Sequence, residues 1–174
     1  MKGRRVIIAG LCLLLCTLAG AQDTTLLERI REVNLPSSLQ AQWEQVKHSP
    51  LLADNLESKG VVYLQNPDKV RWEVTSPIQS LTIFNGESPR RFRLPSDKDF
   101  KASVVQSEDQ LTVTLEPIRR DLKQLFSRII LTVDAASLQA REVLMVAPDG
   151  GWTQLRFSKL VRNPELPQSL FQNE

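Results

Sequence analysis

Residues 60–77, GVVYLQNPDKVRWEVTSP, alternate apolar and polar side chains on both sides of an Asn66-Pro67-Asp68 turn. A period of two is the signature of a half-buried strand: Val70, Trp72 and Val74 share one face, while Lys69, Arg71, Glu73 and Thr75 share the other. The same period returns along most of the chain, giving candidate strands at 39–47, 56–65, 69–76, 79–84, 88–94, 101–107, 111–116, 128–134, 139–147 and 152–160. Turn signals separate them, among them SPLLAD, NPD, the Asn85-Gly86 pair, SED and DGG at 149–151. Strands joined by tight hairpins are antiparallel neighbours, because a parallel pair needs a long crossover. The expectation is one meandering sheet, and a sheet of about ten strands curls under its own twist. The fold class is therefore mainly β: a curved antiparallel meander that its twist drives toward a barrel. Its concave side is expected to carry Gly60, Val62, Leu64, Val70, Trp72, Val74, Leu81 and Ile83.

Two helical segments interrupt the pattern. Thr25 with Glu28 suits a capping box, and Leu26, Leu27, Ile30 and Val33 recur at helical spacing before Pro36 ends the run. This short N-terminal helix is a candidate lid over the concave face. A helix is only ~10 Å across, too narrow to fill so wide an arc, so a partly filled cavity is expected. The second, EPIRRDLKQLF at 116–126, offers Pro117 as a start and room for a turn or two.

The first residues set the compartment. Lys2, Arg4 and Arg5 precede the apolar run VIIAGLCLLLCTL, which is short for a membrane span, and AGA at 19–21 fits a signal-peptidase site. The reading is a signal peptide over 1–21, cleaved before Gln22, with one exported domain over 22–174. Leu11 and Leu15 precede Cys12 and Cys16, where lipid attachment needs a small residue. Both cysteines leave with the signal, so no disulfide, thiol nucleophile or cysteine metal site is expected. Three of the 22 basic residues leave too, and none of the 20 acidic ones. The remainder has one more acid than base, which argues against a nucleic-acid partner.

No catalytic constellation is visible. The single histidine, His48, sits in a KHSP turn without a cysteine partner or a G-x-S-x-G elbow, and reads as a surface turn residue. No ligand cluster suggests a metal, and the seven glycines form no phosphate-cradling loop, so no cofactor is expected. RRFR at 90–93 splits its charges between faces, Arg91 and Arg93 opposite Arg90 and Phe92, and reads as a solvated strand, as does RRD at 119–121.

WEQVK at 43–47, SKGVVYLQNPDKVRWEVTSP at 58–77, LTIFNG at 81–86, and later IILTVD, DGGWTQLRF and NPELP together resemble the periplasmic LolA-like family of outer-membrane lipoprotein carriers. The resemblance implies an unclosed barrel with a helical lid. Its interior would take the acyl chains of a lipoprotein released by an inner-membrane transporter and pass them to an outer-membrane acceptor. It makes Val62, Leu64, Val70, Trp72, Val74, Leu81 and Ile83 candidate lipid-binding residues, and Leu26, Leu27, Ile30 and Val33 the lid of a monomeric carrier. Two departures stand out: Asn66 occupies the place of a basic latch residue, and ESPRRFRLPSDKDF at 87–100 is shorter than the family's usual insertion. Two alternatives stay open: a shuttle for another lipid, such as a glycolipid or exported acyl product, and a module that senses mislocalised lipoproteins.

Overall fold

The computed structural model describes residues 36–65, 68–85 and 98–172. Among the described residues, nine strands make up one sheet: β1 (Ser38–His48), β2 (Leu56–Gln65), β3 (Lys69–Ser76), β4 (Ser80–Asn85), β5 (Phe100–Ser107), β6 (Gln110–Pro117), β7 (Arg128–Asp134), β8 (Ala140–Val146) and β9 (Trp152–Arg162). One short helix, α1 (Arg120–Leu125), bridges β6 and β7, and a 3-10 turn, Gln168–Phe171, follows β9. The candidate strand at 88–94, the N-terminal lid helix, Asn66 and the signal segment lie outside the described residues.

The strand order is β4-β3-β2-β1-β9-β8-β7-β6-β5, every pair antiparallel. The single unclosed antiparallel sheet agrees with the expectation, and the order departs from a sequential meander only where β1 joins β9. The strands follow the chain in cyclic order, with the seam between β1 and β9 zipped and the break between β4 and β5 left open. The reason is length: β1 and β9 are the two eleven-residue strands, and they pair along nearly their full extent, from Leu39↔Arg162 to His48↔Trp152.

Cross-strand partners point to the same side of a sheet, so the register traces each face. Starting from Val104 on β5, one face runs through Val113, Leu131, Val143, Leu155 and across the seam to β1. It continues through Trp43, Ala41 and Leu39 to Val62, Leu64, Val70 and Trp72. Two buried clusters sit on this single apolar face, one of Ala41, Trp43, Val62 and Val70, the other of Val104, Leu111, Val113 and Val133. The opposite face carries Glu44, Arg156 and Glu142 side by side, with Arg156 Nε donating to Glu142 Oε2 at 3.0 Å.

Two local devices shape the wall. Gly60 is required where β2 meets β3: a Cβ there would lie 1.7 Å from the Glu73 carbonyl oxygen and 2.7 Å from the Trp43 ring. On β9 a bulge opposite Ala41 places Lys159 in the left-handed region at φ 49°. The extra residue resets the alternation, so that Phe157 and Leu160, three apart, face the same side.

The chain beyond β9 straps the convex side. Asn163 and Pro164 hold Ser37 and Ser38 through side-chain bonds, with Ser38 Oγ 2.6 Å from the Pro164 carbonyl. Farther on, Arg71 Nη1 donates to the Leu170 carbonyl at 2.9 Å, and Phe171 is buried.

Candidate functional site: an apolar groove

Eleven residues enclose a groove of about 600 Å³. Its floor is Leu39 and Ala41 of β1 with Val62 and Leu64 of β2; Val70, Trp72, Thr82 and Phe84 make the wall toward the open edge. Phe157, Leu160 and Ala140 make the other wall. Phe84 on β4 and Ala140 on β8 are five places apart in the strand order, about 24 Å along a flat sheet. That both border one groove requires the sheet to curl, and the curl makes this face concave. The volume lies within the 300–1,000 Å³ typical of small-molecule sites. Among the described residues no lining side chain is ionisable and Thr82 supplies the only hydroxyl, so the surface they form offers dispersion and apolar burial and no recognition of charge.

Trp72 is held by a stack on Trp43, with ring centroids 4.6 Å apart and planes 25° apart. Trp43 is 2% exposed, and its indole fills the space that the absent Gly60 side chain leaves free.

The sequence-derived wall residues divide into three groups. Val62, Leu64, Val70 and Trp72 line the groove. Val74 packs against the same buried cluster without reaching the groove. Leu81 and Ile83 are corrected: they pair with Glu73 and Arg71 and so share the convex face with them, while Thr82 and Phe84 take the concave positions opposite Trp72 and Val70. Both phases of LTIFN contain large apolar residues, so alternation alone could not choose between them. The three-residue connection 77–79, which sets Val74 opposite Ser80, chooses. The strap gives that convex face a partial apolar cover, since the 3-10 turn packs against β3 and β4.

Sequence reasoning did not reach Leu39, Ala41, Phe157, Leu160 and Ala140. The alternation Leu39, Ala41, Trp43 carried the needed signal for β1, but the Lys159 bulge masks it in β9. Arg71 also differs from a wet surface residue: its guanidinium pairs with Glu73 and holds the strap. Burial first, and then Glu73, push the neighbouring Tyr63 hydroxyl up. His48 closes β1, with Nδ1 3.0 Å from Asn55 Oδ1 and its ring stacked on Trp152 at 5.6 Å. Arg119 of the RRD stretch pairs with Asp99 and Asp121.

An open, curled antiparallel sheet with an uncharged concave groove defines a half-barrel suited to holding apolar ligands. The family model described as outer membrane lipoprotein carrier protein LolA matches residues 35–92, the stretch that holds β1–β4 and eight of the eleven groove residues. An outer-membrane lipoprotein carrier protein of Dechloromonas aromatica is 26% identical over 143 residues, 66% of this chain and 66% of the relative. One from Coxiella burnetii is 32% identical over 110 residues, covering 59% of this chain and 50% of the relative. The chain is similar to these carriers, and it spans between half and two thirds of their length. Among solved structures, MucB superposes with a TM-score of 0.56 at 12% identity, over 88% of this chain and 63% of that one. MucB in the Pseudomonas aeruginosa MucA/MucB complex gives 0.52 at 11% identity, over 84% and 58%. These two likenesses concern the fold.

Proposed function

We propose that the protein is a periplasmic carrier that holds acyl chains of lipoproteins in the groove and shuttles them between inner and outer membranes. The observation that carries the reading is the groove itself: about 600 Å³, uncharged, and bordered by the open β4 edge. Resemblance to the named lipoprotein carriers over β1–β4 supports the cargo class. Burying an acyl chain of about fifteen methylenes yields ~12 kcal/mol of gross driving force at ~0.8 kcal/mol each. A carrier with that much affinity needs a competitor to release its load. The apolar stripe Leu26, Leu27, Ile30 and Val33 is the proposed competitor, displaced by cargo and returned on delivery. The donor would be a lipoprotein-releasing transporter and the acceptor an outer-membrane protein. Mass spectrometry of lipid that co-purifies from the periplasm tests the reading: acylated lipoprotein is expected. Recovery of free glycolipid would reassign the cargo, and recovery of no apolar ligand, with no acyl-probe binding, would overturn the carrier.

A further inference from the structure

The loops at one end of the sheet differ in kind from those at the other. The β1–β2, β3–β4 and β6–β7 connections all leave from the end defined by His48, Ser76 and Pro117. They present Leu51 at 91% exposure, Ile78 at 79%, and Leu125 and Ile118 more than or nearly half exposed. At the opposite end, the described turns at 107–110 and 134–139 carry none of the strongly exposed large apolar side chains.

Helix α1 belongs to the apolar end and buries none of its six residues. Leu122 and Leu125 fall on one of its faces, Arg120 and Lys123 on another. Arg119 is neutralised by Asp99 and Asp121. Arg120, Lys123 and Arg128 have no ion pair among the described residues and are exposed. At the far end Asp109 and Asp134 pair with Arg141, and the rim itself also bears the exposed Asp54 and Asp149. Ser49 and Pro50 line a common cavity of about 320 Å³ with Leu125 and Phe126, which brings the first loop and α1 to one side of the rim. Leu51 and Ile78 belong to adjacent hairpins, on the order of 10 Å apart at the usual strand spacing.

From the common placement of these tips and the unpaired cations of α1 beside them, we infer that this rim docks on an anionic lipid bilayer. Loop tips of this kind enter the headgroup region while basic side chains meet anionic headgroups, which orients the molecule end-on. Three separated tips at one end suit a continuous planar partner. The inference goes beyond the carrier reading and does not rest on it.

Vesicle flotation of the full chain tests it, with vesicles of phosphatidylethanolamine plus phosphatidylglycerol against vesicles of phosphatidylcholine alone. Binding to the anionic vesicles is expected, weakened by high salt. Leu51→Ser with Ile78→Ser and Leu125→Ser should reduce it by about tenfold, and so should Arg120→Glu with Lys123→Glu. Circular dichroism and acyl-probe binding of both variants should match the parent, which separates failure of the rim from failure of the groove. Absence of binding by the parent would overturn the inference. So would equal binding by parent and variants, which would place attachment elsewhere, for instance in residues 6–18. Equal binding to both vesicle types would overturn it by removing the role of charge. A concentration-dependent dimer that the triple substitution abolishes, without flotation, would assign the rim to a second copy of the chain and overturn it as well.

Discussion

Trp43 lies flat against Trp72, centroid to centroid 4.6 Å, with the first ring buried in the sheet and the second forming part of the groove wall. The Trp43 Nε1 donor is buried without a hydrogen-bond partner among the described residues. An unsatisfied buried donor costs about 1–3 kcal/mol, so the ring is useful here and its N–H is not. Trp43→Phe should therefore stay within about 1 kcal/mol of the parent, the lost area being offset by removal of the orphan donor. Trp43→Ala, which leaves a cavity, should cost about 3–5 kcal/mol. Urea denaturation of the two variants checks the difference; equal losses would show that the stack contributes little.

Gly60→Ala tests the crossing under that ring. Its Cβ would overlap the Glu73 carbonyl and crowd Trp43 at once, and backbone on the partner strand cannot step aside without disturbing the β2–β3 ladder. A destabilisation of about 1–3 kcal/mol is expected, measured by thermal unfolding.

A charge placed on the concave wall should interfere with apolar cargo in a pH-dependent way. Thr82 is exposed on the edge strand and borders the groove, so Thr82→Glu should fold. Filling the groove strips water from the new carboxylate and raises its pKa, because burial disfavours the charged form. Acyl-probe binding is then expected to be weak at neutral pH and to recover as pH falls through the raised value. Gln42→Glu, exposed on the convex face, is the control and should bind normally at both. Equal fluorescence titrations for the two would remove the groove as the binding site.

The strap offers a third kind of test. Arg71→Ala removes the donor to the Leu170 carbonyl and leaves Glu73 without its cation. Hydrogen bonds to charged groups are worth about 1.5–3 kcal/mol, and the loss should appear locally. Faster amide exchange is expected at Gln172, whose N–H bonds the Ser169 carbonyl, with the β1–β9 ladder unchanged. Uniformly faster exchange would mean that the strap holds the whole sheet.

Acid stability should depend on the β7–β8 turn. Asp134 accepts bonds from the Ser137 N–H at 2.8 Å and hydroxyl at 2.9 Å, and pairs with Arg141. The Ser137 bonds first, and then Arg141, hold its carboxyl well below the usual carboxylate range. A carboxylate depressed on folding stabilises above its unfolded pKa, about 3.9, and that contribution disappears as pH falls through the folded value. Asp134→Asn should be less stable than the parent at neutral pH, and the gap should narrow in strong acid. Urea midpoints at the two pH values decide it.

The strands were legible because each turn is marked by its own residues and each strand by period two; the predicted bounds for β2, β3 and β7 coincide with the structure. The groove was half legible. Val70 and Trp72 follow from strict alternation after the Asn66-Pro67-Asp68 turn, and the hairpin carries that phase across to Val62 and Leu64 within the apolar run Val61–Leu64. Thr82 and Phe84 do not, because Leu81 and Ile83 are as apolar as the residues that win the concave face. Leu160 lies beyond any period-two reading, since Lys159 breaks the phase. The β1–β9 seam was invisible for another reason: pairing between strands over 100 residues apart leaves no local signature, and hairpin logic links only neighbours in the chain.

That seam also governs the order in which the molecule can be assembled. Every other ladder joins strands that are consecutive in sequence and can form as a local hairpin or a short excursion. The β1–β9 ladder alone brings together the first and the last of the described strands in sequence, and contacts between distant segments form late because loop closure precedes their reward. Until Trp152–Arg162 is available, β1 has one bare edge and its apolar face is unwalled by Phe157 and Leu160. A chain synthesised from its N-terminus thus acquires its groove only with its last strand, and no incomplete copy presents a finished binding surface.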